Sequence, residues 1–244
     1  MYFPSYRIKR NGVPILSKIE IDNIAEAYLQ DFCPKAMKTP MELDIDSFIQ
    51  NYLGLKQDFQ YLSHNGIYLG MTVFNDTNKL PVYDPITQQA EYISTKAGTI
   101  IIDNSLLALG QEHRYRYTMG HEGGHNIFHK HYFTCLSSQS IVFGRELGAM
   151  VQCRALPIAS KTKPVSQWDD GDRMEWQANY MSSALLMPKT MVYHLIKSLL
   201  PNKDDEIRYK DYIYKIVRTF NVSKQAAEYR LKQLGIISNN NFTK

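Results

Sequence analysis

The chain contains the stretch Tyr117-Thr118-Met119-Gly120-His121-Glu122-Gly123-Gly124-His125. Its last five residues form His-Glu-x-x-His, and residues four apart on a helix lie about 40° apart around the axis, one turn above the other. His121 and His125 therefore present two imidazoles on one face, close enough to share a zinc ion. Glu122 lies outside the coordination shell but near a zinc-bound water, which predicts a general base for hydrolysis. Two surface histidines on an ordinary helix are the alternative.

The composition is that of an ordinary globular protein. Of 244 residues, 44% are hydrophobic and 21% charged, and the net charge of +4 is only weakly suggestive of a nucleic-acid partner. Cys33, Cys135 and Cys153 form no Cys-x-x-Cys pair and are odd in number, which argues against a disulfide framework and a thiolate metal site. Without a signal sequence or a long apolar run, we expect a cytoplasmic protein with no membrane span.

The chain before the quoted stretch changes from a helical to a two-residue apolar period. After a loose lead-in of about ten residues, residues 19–54 predict helices, the second capped by Asp44 or Asp46. Residues 58–103 predict a small, mostly antiparallel sheet, in which the Asn-Gly pair at 65–66 joins the first two strands as a hairpin. An edge strand of such a sheet could hold an extended substrate. The predicted strands are 58–62, 67–74, 80–83 and 98–103.

The helix that carries the motif is predicted to span residues 111–131. Glycine costs about 1 kcal/mol relative to alanine inside a helix, so Gly123 and Gly124 indicate that another backbone or the substrate passes close to them. A locally weak helix is the alternative. Residues 132–172 show little periodicity and predict an insertion or long loop beside the site, with a short helix near residues 145–152.

A second helix, predicted at residues 173–186, offers a third ligand. Glu175 shares a helical face with Asn179, four positions on. The pair suits a zinc site of two histidines and one glutamate with water in the fourth position, in which Asn179 accepts the N–H of a ligand histidine. The residues alone also allow Glu175 to be a first-turn carboxylate favoured by the helix dipole.

The two helices together resemble a known family. Residues 115–125 read Tyr-Arg-Tyr-Thr-Met-Gly-His-Glu-Gly-Gly-His, and residues 174–188 read Met-Glu-Trp-Gln-Ala-Asn-Tyr-Met-Ser-Ser-Ala-Leu-Leu-Met-Pro. This pair is similar to the ImmA/IrrE-type metallopeptidases, as is the strand Gly-Thr-Ile-Ile-Ile-Asp at residues 98–103. The resemblance covers roughly residues 19–235. Gln177 stands where many members have a second glutamate, which removes a rival ligand, and the insertion between the motifs leaves the substrate open.

The resemblance implies an α+β, zincin-like domain with the sheet packed on the motif helix. Zinc would be held by His121, His125 and Glu175, with Glu122 as catalytic base. We place this domain at residues 1–200 and a helical, helix-turn-helix-like region at 201–244. Family members of known function cleave helix-turn-helix repressors of phage, mobile-element or stress genes, which makes such a repressor the expected substrate.

Other candidate residues receive simpler interpretations. His129 lies two turns beyond His121, about 12 Å along the axis, and is expected at a polar helix end outside the zinc shell. Tyr180 and His194 could stabilise an oxyanion, but ordinary packing explains both better. In the C-terminal helix Lys224, Arg230 and Lys232 could contact phosphates, yet a solvated face is the better interpretation, so direct DNA binding is not expected.

The sequence therefore predicts a zinc endopeptidase, with two rival functions. One rival is a regulator that binds DNA or a repressor and keeps zinc only as structure. It predicts salt-dependent DNA binding and no effect of replacing Glu122. The other is a general peptidase without a dedicated repressor, which predicts comparable cleavage of unrelated unfolded proteins.

Overall fold

The computed structural model describes residues 1–143, 150–154, 164–198 and 209–237. Seven α-helices and eight β-strands lie in these ranges, which makes the fold α+β as predicted. The helices are α1 (Lys18–Phe32), α2 (Ile45–Ser47), α3 (Glu112–Phe143), α4 (Asp170–Leu186), α5 (Lys189–Lys197), α6 (Tyr209–Phe220) and α7 (Lys224–Gln233). Helix α2 continues into a π-helical turn at Phe48–Tyr52, and 3-10 turns occur at Pro34–Met37, Asn104–Leu107 and Val165–Gln167.

The strands form one four-stranded sheet and two hairpins. The strands are β1 (Arg7–Ile8), β2 (Pro14–Ile15), β3 (Lys56–Gln60), β4 (Tyr68–Val73), β5 (Thr77–Asp84), β6 (Gln89–Thr95), β7 (Thr99–Asp103) and β8 (Met150–Arg154). The larger sheet has the order β3-β7-β4-β8, while β1–β2 and β5–β6 pair by themselves. In the larger sheet only β3–β7 is parallel, so a mostly antiparallel sheet is present as predicted. The strand predicted at 80–83 is not part of it, because this segment lies in β5, which pairs with β6 in a separate hairpin.

The predicted hairpin between the first two strands of this sheet is wrong. Strand β7 lies between β3 and β4, pairing parallel with β3 and antiparallel with β4. All five residues of β7 are buried, which requires a central position, whereas β3 is only partly buried and lies at an edge. The Asn65-Gly66 turn exists, with Gly66 at φ +65°, but it belongs to a longer connection across β7.

Four strands fall where the sequence predicted none: β1 and β2 near the N-terminus, and β6 and β8 later in the chain. Strand β6 is mostly exposed and polar, so it lacks the alternation that identifies strands, and it is found only as the partner of β5. Strand β8 lies in the predicted insertion, at residues 150–152 of the helix expected near 145–152, and forms the edge beside β4. Residues 144–149 of that expected helix lie outside the described ranges. Helix α3 also continues twelve residues beyond its predicted end at 131.

The N-terminal residues are docked, and the expected loose lead-in is wrong. The hydroxyl of Tyr6 donates to the carbonyl of Ile127 in α3 at 3.2 Å, and Lys9 forms an ion pair with Asp170 at the start of α4. Helix α1 then begins at a capping box formed by Ser17 and Glu20. The first fifteen residues therefore lie against both helices that carry the predicted ligands.

The C-terminal helices contribute to the same hydrophobic core as α1, α3 and α4. Ile213, Phe220 and Leu231 are buried in the cluster that also contains Ile21 and Met181. The predicted domain boundary at residue 200 lies among residues 199–208, outside the described ranges, and stays a prediction. No helix in the described part of the chain is long and apolar enough to cross a membrane.

Arg230 of α7 is not on a solvated face. Its side chain is fully buried, and its guanidinium contacts Asp22 of α1 at 2.6 Å and donates to the carbonyl of Met187 at 3.0 Å. The hydroxyl of Tyr180 donates to the second Asp22 oxygen at 3.0 Å. This cluster ties α1, α4 and α7 together, and it makes Arg230 inaccessible to phosphate.

We expect Arg230→Ala to lower the free energy of unfolding by about 3–5 kcal/mol, because Asp22 would remain as an unpaired buried charge. Denaturant unfolding followed by circular dichroism measures the change. Lys224→Ala is the matched control on the same helix, since Lys224 is exposed, and should change stability by no more than about 0.5 kcal/mol. Equal effects of the two substitutions would contradict the role assigned to the Arg230–Asp22 pair.

Candidate metal centre

Helices α3 and α4 approach each other at two glycines of α3. A Cβ atom on Gly124 would lie 3.1 Å from the Cα and carbonyl oxygen of Ala178, and one on Gly120 would lie 2.6 Å from the Ser182 hydroxyl. The predicted close passage of another backbone is thus correct at Gly124, and the backbone is that of α4. At Gly123 the neighbour is instead the side chain of Ile49.

This contact brings three of the predicted residues together. Nε2 of His121 and Nε2 of His125 are 2.9 Å apart. The Glu175 carboxylate lies 3.2 Å from Nε2 of His125 and 3.6 Å from Nε2 of His121. Both histidines are buried, whereas the side chain of Glu175 is 35% exposed. The site is therefore enclosed on the histidine side and open on the side of Glu175.

The three donors fit a tetrahedral metal ion. Their ligand atoms all lie within 4.8 Å of one another, and metal–ligand bonds of about 2.1 Å place tetrahedral donors about 3.4 Å apart. Burial acts to lower the pKa of His125, but the hydrogen bond and the charge of Glu175 outweigh it, and the pKa is raised. A positive charge, whether a proton or a metal ion, is favoured at the point that these groups share.

Asn179 orients the first of the two histidines. Its side-chain N–H donates to the carbonyl of Glu175 at 2.8 Å, which turns its Oδ1 towards Nδ1 of His121 at 3.2 Å. Because this oxygen can only accept, Nδ1 of His121 carries the proton and Nε2 presents its lone pair to the site. The role expected of Asn179 from its helical face agrees with this geometry.

At this centre, the surroundings of His129 were predicted wrongly. It is fully buried instead of lying at a polar helix end, with Nδ1 at 3.0 Å from Nδ1 of His125 and Nε2 at 2.9 Å from Oε1 of Gln177. Burial lowers the pKa of His129 to about 3, which keeps the ring neutral. It remains outside the group of possible ligands, as expected.

Glu122 is completely buried beside this centre. Its Oε2 accepts a 2.5 Å hydrogen bond from the hydroxyl of Thr72 on β4, while Oε1 has no hydrogen-bond partner in the described residues. A Cβ atom at Gly70 would lie 2.6 Å from Oε1, so this position leaves room only as glycine. Burial raises the pKa of Glu122 to about 7. His125 and the hydrogen bond from Thr72 act to lower this pKa, and the charge of Glu175 acts to raise it further.

An unpaired buried carboxylate oxygen next to three potential ligands fits a metal ion with a water molecule. The missing partner of Oε1 would be that water, and a carboxyl group with a pKa near neutrality can accept its proton. The roles of His121, His125 and Glu175 as ligands, and of Glu122 as base, stay predictions that this geometry permits.

The remaining sequence candidates lie elsewhere, and some site residues were missed. Tyr180 donates its hydroxyl to Asp22, in line with the packing interpretation, whereas His194 is exposed on α5, so packing does not explain it. Thr72 and Gly70 were not predicted, because only the folded sheet brings them to α3. A signal for His129 did exist, since it lies four residues after His125 and hence on the same helical face.

Residues 155–232 match the family model described as Peptidase_M78, IrrE N-terminal-like domain. The match confirms the ImmA/IrrE-type resemblance and supports a metallopeptidase-type family. It includes α4, with Glu175 and Asn179, while the histidines of α3 precede it. A comparison with curated proteins gave no match.

We expect Gly124→Ala to weaken metal binding and to lower the free energy of unfolding by about 1–2 kcal/mol. Overpacking against the backbone of α4 should exceed the gain of about 1 kcal/mol in helix propensity. Isothermal titration with Zn²⁺ and denaturant unfolding measure the two effects. Gly171→Ala, the same change at an exposed position in the first turn of α4, should leave metal affinity unaltered. Unchanged affinity in Gly124→Ala would contradict the importance of the helix contact.

Proposed function

We propose that this protein is a zinc-dependent endopeptidase of a zincin-like fold. The observation that carries the proposal is the placement of a buried carboxylate, with one oxygen unpaired, beside a cluster of two histidines and one glutamate. Three protein ligands with an open side are typical of catalytic zinc sites, whereas structural sites are closed by four. The match to a peptidase family model supports the same function.

His121, His125 and Glu175 would hold the ion, which supplies, when bound, a Lewis acid that polarises the scissile carbonyl and acidifies a water molecule. Glu122 then takes the proton of the attacking water and passes it to the leaving amine. Thr72 fixes Oε2 of this carboxylate, so Oε1 is the oxygen left for the proton. Asn179 holds the ring of His121 with its Nε2 lone pair towards the ion.

We propose a helix-turn-helix repressor as the substrate, cleaved within an exposed segment. This part of the proposal rests on the paired motifs and the family they resemble. The burial of Arg230 removes one of three cations that a DNA-binding role would use, which favours a protein substrate over DNA.

Glu122→Gln should retain one zinc per chain and lose cleavage by at least about a hundredfold, because the amide cannot accept the proton. The assay incubates the zinc-loaded protein with helix-turn-helix proteins encoded nearby and identifies the products by mass spectrometry. An unrelated unfolded protein serves as the substrate control. Equal cleavage by the variant would refute the mechanism, and equal cleavage of the unrelated protein would favour the general peptidase. Salt-dependent DNA binding that is unaffected by Glu122→Gln, without cleavage, would support a structural zinc.

Glu175→Ala, His121→Ala and His125→Ala should each reduce bound zinc well below one ion per chain after dialysis, since two remaining protein ligands hold zinc poorly. Elemental analysis of the dialysed proteins gives the stoichiometry. Ser183→Ala is the control, because Ser183 is buried in α4 with its hydroxyl unpaired in the described structure. Full occupancy in Glu175→Ala would exclude Glu175 as a ligand.

A further inference from the structure

A line of hydrogen bonds runs from the N-terminal hairpin to His125. The side-chain N–H of Gln177 donates to the carbonyl of Pro14 at 2.9 Å, and Oε1 of Gln177 lies 2.9 Å from Nε2 of His129. Nδ1 of His129 in turn lies 3.0 Å from Nδ1 of His125. Gln177 and both histidines are at most 2% exposed, so water does not compete for these bonds.

The chemistry of the groups fixes the direction of every bond in this line. A carbonyl oxygen only accepts, so Pro14 requires the NH₂ group of Gln177 and turns its Oε1 towards His129. That oxygen requires an N–H at Nε2 of His129. A ring that carries this single proton has a bare Nδ1, which accepts. Nδ1 of His125 must then carry a proton, and Nε2 of His125 is left with its lone pair towards Glu175 and His121.

We propose that Pro14, Gln177 and His129 form a relay that holds His125 in the tautomer able to bind a metal ion. His129 is thus a positioning residue that acts through His125 and does not touch the metal. The relay explains why a third histidine is buried at this centre, although His129 is not among the possible metal ligands. It also gives Gln177 a reason to be an amide, since one side chain must both donate to a carbonyl and accept from an imidazole.

Each of the two proposed ligand histidines is oriented by an amide side chain that is itself held by a main-chain carbonyl. The two arrangements differ in whether the amide contacts the ligand directly. On the His121 side, the amide of Asn179 bonds a main-chain carbonyl and contacts the imidazole directly. On the His125 side, the amide of Gln177 does the same, with the ring of His129 inserted between the amide and the ligand. Outer partners of this kind typically change metal affinity about 10- to 100-fold when removed.

The inference rests on the metal site of the proposed function, and a measurement on the unaltered protein tests it first. In the zinc-loaded protein labelled with ¹⁵N at histidine, long-range ¹H–¹⁵N correlation spectra report which ring nitrogens carry protons. We expect His129 to be protonated at Nε2 and bare at Nδ1, and His125 to be protonated at Nδ1. A proton at Nδ1 of His129 would overturn the relay.

A double-mutant cycle with zinc affinity as readout provides the second test. His129→Phe and Gln177→Leu should each raise the zinc Kd about 10- to 100-fold. If Gln177 acts through His129, the double variant should bind zinc as His129→Phe does, so the two effects do not multiply. Ser183→Ala, which removes a buried hydroxyl from the same helix as Gln177, should leave the Kd unchanged.

The outcomes separate the relay from the proposed function. Zinc binding by the wild type together with a Kd within twofold in His129→Phe would overturn the relay alone, as would independent, multiplying effects in the double variant. A wild-type chain that binds no zinc would overturn both. Thermal unfolding of each variant is measured beside the titration, and the tautomer measurement remains decisive where a variant fails to fold.

Discussion

The contact between α3 and α4 at Gly124 and Ala178 is the constraint on which the centre depends. A side chain at residue 124 would meet the backbone of α4, so the helices can approach this closely only with glycine there. The short distance is what allows a carboxylate from α4 to reach two imidazoles on α3. Metal binding and helix packing are therefore coupled, because an ion that bridges the helices stabilises the same contact that assembles its ligands.

Burial gives the polar groups of this centre well-defined states. The histidine rings, Glu122 and Gln177 have almost no exposed surface, so each hydrogen bond must be satisfied within the protein. Main-chain carbonyls set the direction of two amides, and the amides set the orientation of two imidazoles. The unpaired oxygen of Glu122 is the exception, and it lies where the chemistry requires a water molecule. The centre therefore combines polar groups that are held by hydrogen bonds within the protein with one carboxylate oxygen that remains available for catalysis.

Local patterns in the sequence predicted most of what lies within single elements. The spacing of His121 and His125 and the face shared by Glu175 and Asn179 both follow from helical periodicity. The sheet order was not predictable in this way, because the central position of β7 depends on which strands are buried on both faces. Thr72 and Gly70 were missed because no local signal relates a strand residue to a helix residue about fifty positions later.

The carbonyl of Pro14 ends the line of hydrogen bonds that reaches His125, and a carbonyl belongs to every amino acid. The contribution of this position to the centre is therefore independent of the side chain that occupies it. What matters is where the hairpin of β1 and β2 places the main chain. Substitutions in this hairpin should therefore be tolerated, whereas insertions and deletions should not. The functional importance of the hairpin would appear as a constant length and not as a constant sequence.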